Sequence, residues 1–276
     1  MLLTSPLRYP GGKGKIYNRI KEIIENFNLK DKIYVEPFSG GCSLGIMLLS
    51  EKKIKSLIIN DLDIHIYAVW HSILNECAEL CNLITNTNID INEWKRLKNI
   101  YDNYQGHTLL EIGFATLFLN RTNFSGILKA GPIGGYSQKG KYKIGCRFNK
   151  ESIISKIIAI NKMRENISLY NLDANILIKN ILSPIQENFF VNIDPPYVDN
   201  GAELYTNFYV DKDHIELSKV IKKYLKKCNW IITYDNHKSI KKLYKRFKQE
   251  KLEIRYSVSN HKCGEELIIY HVKRAS

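Results

Sequence analysis

The stretch Lys32–Asp61, KIYVEPFSGGCSLGIMLLSEKKIKSLIIND, decides the fold. KIYVEPF (32–38) is a short apolar strand, and FSGGCSLGIMLL runs from a glycine turn into a helix. SLIIND (56–61) is a second strand that ends in acid. Glycines between strand and helix permit a tight turn and let a ligand approach the backbone closely. Asp61 follows Gly41 by twenty residues and closes the next strand. A carboxylate there can accept hydrogen bonds from both ribose hydroxyls of a nucleoside. The turn reads FSGGCS rather than GxGxxG, so the ligand need not carry a pyrophosphate. A plain strand–helix turn accounts for the glycines alone; the glycines with Asp61 point to a nucleoside.

The pattern extends in both directions. Upstream, Ile16, Ile20, Ile23 and Ile24 give residues 14–26 a helical period. Downstream, residues 62–118 are helical in periodicity, through Ile66, Ala68, Val69, Ile73 and Leu74. Residues 120–149 are rich in Gly, Asn, Ser and Lys and read as loops and a hairpin. A helix follows at about 151–164, then the strand ISLYNLD (167–173) and the buried strand NFFVNI (188–193). Residues 212–227 are helical, NWIITYDN (229–236) is a strand, and a basic helix is expected at about 238–249. LEIRYSVS and ELIIYHV, separated by NHKCG, read as a closing hairpin. The fold expected is α/β: a Rossmann-like, mostly parallel sheet with a C-terminal antiparallel hairpin and an inserted helical lobe. Residues 1–62 and 151–276 are expected to form the sheet domain, and 63–150 the insert.

NFFVNI runs directly into Asp194-Pro195-Pro196-Tyr197, at the carboxyl end of the sheet, where open α/β sheets bind ligands. The two prolines fix φ and remove two N–H groups. A carboxylate and a rigid carbonyl then make a pair of acceptors suited to an –NH2 group. Tyr197 adds a flat face for an aromatic base. A rigid strand-ending turn is the bland alternative.

The net charge of +13 calls for a polyanionic partner, although the Lys-, Ile- and Asn-rich composition contributes to it. Residues 121–150 carry seven basic residues and no Asp or Glu. No apolar run of membrane-spanning length and no secretory leader is legible, so a cytoplasmic, membrane-free protein is expected. Six scattered cysteines lack zinc spacing, so reduced thiols and no metal are expected. Leu7-Arg8-Tyr9-Pro10-Gly11-Gly12-Lys13 is not a Walker motif, since no strand precedes it. Tyr9 and Lys13 suit a small charged ligand; alone, the segment reads as an exposed turn.

In this order the segments RYPGGK, VEPFSGGCS, NDLD, FLNRTNFSGIL, DPPY, TNFYVDKDHIELSKVI and SVSNHKCGEELIIY resemble the Dam-type DNA adenine N6-methyltransferases (D12 class, alpha group) over nearly the whole chain. The resemblance implies S-adenosylmethionine as cofactor, contacted by Tyr9, Lys13, Asp61 and Asp194, with Phe38, Gly40 and Gly41 lining the pocket. Asp173 is a further candidate on the cofactor's adenine side. It implies catalysis by Asp194, Pro195, Pro196 and Tyr197 on an adenine flipped out of duplex DNA. Residues 63–150 then become the target-recognition domain, with Arg121, Asn123, Phe124, Ser125, Lys129, Tyr136, Lys139, Lys141, Lys143 and Arg147 as DNA contacts. Arg121 and Asn123 either face DNA or brace the turn. Where GATC-reading members place an arginine, this chain has Lys129, which lacks the bidentate fork for guanine, so GATC does not follow. A monomer of bacterial or phage origin is expected, associated with the nucleoid and with a restriction endonuclease as a possible companion. An RNA adenine methyltransferase, a cytosine N4 methyltransferase and a non-enzymatic DNA-binding protein are the alternatives.

Overall fold

The computed structural model describes residues 2–8, 13–198, 209–255 and 263–273, without the side chains of 13–15, 252–255 and 263–265. The chain forms two compact units, Met1–Pro10 with Ile64–Glu165, and Gly11–Asp63 with Asn166–Ser276. These divisions differ from the expected boundaries at 62 and 150. The N-terminal segment joins the insert because the Asn120 amide accepts from Arg8 N (2.6 Å) and donates to Arg8 O (2.7 Å). Residues 151–165 join it because Asn161 Nδ2 donates to the carbonyls of Ile73 and Leu74, and Lys156 Nζ to Thr4 Oγ1.

The sheet unit contains β1 (Ile33–Glu36), β2 (Ser56–Asn60), β3 (Ile167–Tyr170), β4 (Phe189–Ile193), β5 (Asn229–Asp235), β6 (Lys248–Arg255) and β7 (Cys263–His271). Their order is β3-β2-β1-β4-β5-β7-β6, and β7 alone runs against its neighbours. Every residue of β4 is buried, as a parallel strand covered on both faces requires. α1 (Lys13–Asn26), α2 (Ser43–Ser50), α9 (Asp211–Tyr224) and α10 (Lys238–Leu243) belong to this unit. Leu217, Val220 and Ile221 of α9 share a core with Val191, Ile193, Trp230, Ile232, Leu267 and Ile269. Burying several such side chains at about 1.5–3 kcal/mol each makes this core the main support of the strand ends.

Two details depart from the sequence reading. The basic helix expected to reach 249 stops at Leu243, and Lys248 already pairs with Tyr270 on β7. The Phe247 ring packs edge-on against Trp230, with centroids 4.8 Å apart, so sheet pairing and aromatic burial override local helix preference. Between β3 and β4, ANILIKNILSPIQEN folds as α8 (Ala174–Leu177), a π-helical turn (Ile178–Leu182) and a 3-10 stretch (Ser183–Asn188). Its irregular period hides it from a pattern search.

The insert contains α3 (Ile64–Asn75), α4 (Cys77–Asn86), α5 (Ile91–Asp102), α6 (Leu109–Thr122) and α7 (Lys150–Asn161). Thr108 and Glu111 form a capping box that starts α6. Beyond its first turn α6 is buried almost all round, as a central helix must be. A Cβ at Gly113 would lie 2.5 Å from both the Ala68 carbonyl oxygen and Ser72 Oγ on α3. Gly113→Ala is therefore expected to destabilise the insert by about 1–3 kcal/mol through overpacking, read by urea denaturation. Unchanged stability would show that α3 and α6 separate at no cost.

The loops and hairpin expected at 120–149 reduce to 3-10 turns at Phe124–Gly126 and Ile144–Arg147 and an isolated bridge, Asn123↔Pro132. Ser125, Gly126, Gly134, Gly135 and Gln138 have positive φ, which prevents strand pairing from propagating. Among the described residues no helix is long and apolar enough to cross a membrane.

Candidate active site

The sheet register brings the acidic strand ends to one level. Val35 pairs with Ile58 on one side and with Val191 on the other. Three residues further along each chain stand Phe38, Asp61 and Asp194. Ile193 pairs with Ile232, which places Thr233 beside Asp194. Asp61 and Asp194 are separated by two strand spacings, about 10 Å of sheet width. The glycine turn leaves the strand between them.

Buried and part-buried hydrogen bonds hold that turn. Asp61 Oδ2 accepts from Gly40 N (2.8 Å) and Oδ1 from Asp63 N (3.0 Å). Gly40 and Cys42 have positive φ (46° and 43°), so the turn requires left-handed backbone at both positions. Glu36 Oε1 accepts from Gly45 N (2.9 Å) in the first turn of α2. Asn60 donates to the carbonyls of Pro37 (2.8 Å) and Leu172 (2.9 Å) and accepts from Leu172 N (3.0 Å). Sequence reading includes Glu36 and Asn60 in the segments VEPFSGGCS and NDLD but gives neither a role of its own. A polar residue within an otherwise apolar strand is the available signal.

The Asp61 carboxyl is half-buried, and desolvation raises it to about 7 despite its two backbone N–H partners. Ser39 Oγ is buried with no hydrogen-bond partner among the described residues. Phe38 meets Tyr209 edge-on, with centroids 5.7 Å apart. Burial, and after it the negative charge of Asp173, raises the Tyr209 hydroxyl above its ordinary range. Asp173 Oδ1 caps α8, accepting from Asn175 N (2.9 Å) and Ile176 N (3.3 Å). A desolvated carboxylate, an unpartnered hydroxyl and an aromatic wall at one glycine turn fit an uncharged nucleoside with hydroxyl donors. Tyr9 and the Lys13 side chain lie outside the described residues.

At the other strand end, Thr233 Oγ1 donates to Asp194 Oδ1 (2.7 Å). The Tyr197 hydroxyl lies 3.1 Å from Glu266 Oε1 and 3.4 Å from Asp194 Oδ1. Val198 N donates to Asp235 Oδ1 (3.3 Å), tying the end of the motif to β5. Pro195 and Pro196 are buried. Among the described residues, no hydrogen bond reaches the Pro195 carbonyl. Thr233 and Glu266 do not stand out in the sequence, because strand alternation explains them without a site.

In the insert, Asn123 braces the turn that follows α6. It is fully buried, accepts from Trp94 Nε1 (2.7 Å) and donates to the carbonyls of Ile127 and Leu128. Phe124 and Tyr136 remain 66% and 62% exposed, and Tyr136 meets the Trp94 ring edge-on. Lys129, Lys139, Lys141, Lys143 and Arg147 are exposed, and Ser125 is half-buried. Arg121 donates to Pro6 O, while burial, Arg8 and Arg147 push its guanidinium down to about 10. It stays cationic at neutral pH, in a group of arginines with no carboxylate among the described ion pairs.

Sheet order, glycine turn and acidic strand ends define a Rossmann-like α/β protein. The family model for the D12 class of N6 adenine-specific DNA methyltransferases matches residues 9–258, and the chain belongs to that family. It is similar to the type II methyltransferase M.MjaIII of Methanocaldococcus jannaschii, 25% identical over 236 residues that cover 79% of this chain and 78% of that protein. Among solved structures, the rRNA methyltransferase aviRa of Streptomyces viridochromogenes has a TM-score of 0.41 at 12% identity, covering 98% of this chain and 89% of its own. The methyltransferase domain of bacterial CtHen1 has a TM-score of 0.41 at 9% identity, covering 93% and 98%.

Proposed function

We propose that this protein transfers a methyl group from S-adenosylmethionine to N6 of an adenine flipped out of duplex DNA, at the Asp194-Pro195-Pro196-Tyr197 motif. The observation that carries this reading is the common level of Asp61 and Asp194 on either side of the glycine turn. Asp61 would receive the ribose hydroxyls, with Phe38, Gly40, Gly41 and Asp173 around the nucleoside; Tyr9 and Lys13 rest on the family resemblance. When bound, the cofactor supplies an electrophilic methyl on a sulfonium.

Asp194 and the Pro195 carbonyl accept hydrogen bonds from the adenine amino group. The Thr233 bond to Asp194 Oδ1 fixes the orientation of that carboxylate. Pro196 keeps that geometry rigid, and Tyr197 stacks on the extruded base. Flipping costs a few kcal/mol, which the base contacts must return. The nitrogen lone pair is then aimed in line, so positioning supplies most of the rate.

Duplex DNA is the proposed partner of the insert. Arg121, Lys129, Lys139, Lys141, Lys143 and Arg147 meet phosphates, and Phe124, Ser125 and Tyr136 meet bases or sugar edges. A monomer acting in the cytoplasm on the nucleoid, in a bacterium or phage host, fits this reading. The likeness to a type II methyltransferase supports a companion restriction endonuclease.

Sequencing of DNA from cells expressing the protein, with detection of modified bases, tests this. The expected result is N6-methyladenine in a defined sequence context, absent when Asp194→Ala is expressed. N4-methylcytosine, or label transferred from S-adenosylmethionine to RNA but not to DNA, would refute it.

A further inference from the structure

Glu266 lies on β7 directly opposite Asp235, at the ligand-bearing end of the sheet, and is only 3% exposed. Directly paired residues and those two apart share a sheet face, so Glu266, Asp235 and Thr233 stand on one side. Thr233 and Glu266 then reach the two ends of the DPPY motif, one bonding Asp194 and the other Tyr197.

The Tyr197 hydroxyl has a single proton, and two carboxylate oxygens among the described residues lie within its reach. Glu266 Oε1, at 3.1 Å, is the nearer; Asp194 Oδ1, at 3.4 Å, already accepts from Thr233. A proton given to Asp194 would occupy an acceptor site wanted by the substrate amino group. It would also withdraw electron density from the oxygen that must polarise that group. We infer that Glu266 is a positioning residue, which accepts the hydrogen bond of the Tyr197 hydroxyl and so reserves the Asp194 carboxylate for the adenine amino group. This rests on the reading of Asp194 as the catalytic acceptor.

The test is a mutant cycle read by single-turnover methyl transfer to duplex DNA, since product release can mask the chemical step. Glu266→Met fills the site without offering an oxygen acceptor. The single-turnover rate is expected to fall roughly tenfold, the worth of one misdirected hydrogen bond, with cofactor and DNA dissociation constants within about twofold of wild type. In a Tyr197→Phe background there is no proton to misdirect. There, adding Glu266→Met is expected to change the rate by less than about twofold, whatever the rate of Tyr197→Phe alone. An equal loss in both backgrounds, or a loss confined to binding, overturns the inference. If Glu266→Met does not fold, Glu266→Gln decides. It keeps an acceptor oxygen, and a rate more than about fivefold below wild type overturns the inference as well. Asp194→Ala is run alongside. Activity in that variant would overturn the catalytic reading, whereas an inactive Asp194→Ala with an uncoupled cycle overturns the role of Glu266 alone.

Discussion

Asp194→Ala is expected to lower the single-turnover rate at least a thousandfold, while duplex binding stays within about threefold of wild type. The size follows from what the carboxylate does in the transition state. In the proposed mechanism Asp194 is the side-chain acceptor for the substrate amino group, and its hydrogen bonds strengthen as the nitrogen becomes the nucleophile. Preorganised polar groups of this kind are worth about a hundred- to a thousandfold each. Removing the carboxylate also frees the hydroxyl of Thr233, which now donates to it at 2.7 Å, and takes away a second partner of Tyr197. DNA affinity is expected to survive because phosphates dominate it, and the exposed lysines of the insert lie in the other compact unit. Gel-shift titration beside single-turnover kinetics separates the two quantities. A variant that retains a tenth of the wild-type rate would remove Asp194 from the mechanism.

The parts of this site carried by backbone pattern are legible in the sequence. Apolar strands run into acid or proline at Asp61 and Asp194, and the glycines of FSGGCS mark the turn between them. These are local signals, and the parallel sheet follows from alternating strands and helices. The polar braces are legible at most as polar residues within apolar strands, which does not identify their partners. Asn60, Glu36, Thr233 and Glu266 act through partners 9 to 112 residues away, and no local period distinguishes them from ordinary strand residues. Asn123 shows the converse. It sits in the basic segment expected to meet DNA, but its amide is consumed by Trp94 and the turn carbonyls. The limits of the basic helix after β5 fail for a different reason: pairing of Lys248–Arg255 with β7 is a tertiary choice, made against local propensity.

If Asp61 receives the cofactor ribose as proposed, cofactor binding is expected to weaken about tenfold between pH 8 and pH 6. Burial raises the Asp61 carboxyl from 3.8 to about 7. Between those values the folded protein holds a proton that the unfolded chain has released. The contribution of this proton to stability is therefore complete below about pH 3.8 and lost as pH rises through about 7. Cofactor binding has the opposite sign. Ribose hydroxyls donate to the carboxylate and not to the protonated oxygen of the acid, so binding must expel the proton below pH 7. The apparent dissociation constant then rises tenfold per unit under that value. Calorimetry at pH 6 in buffers of different ionisation enthalpy should show close to one proton released per cofactor bound, falling toward zero at pH 8. Asp61→Asn should flatten the part of the profile due to this group and weaken binding at pH 8 roughly a hundredfold, the worth of two hydrogen bonds to a charged acceptor. Equal affinity for wild type at pH 6 and pH 8, or a profile that Asp61→Asn leaves intact, would place the ribose elsewhere than on Asp61.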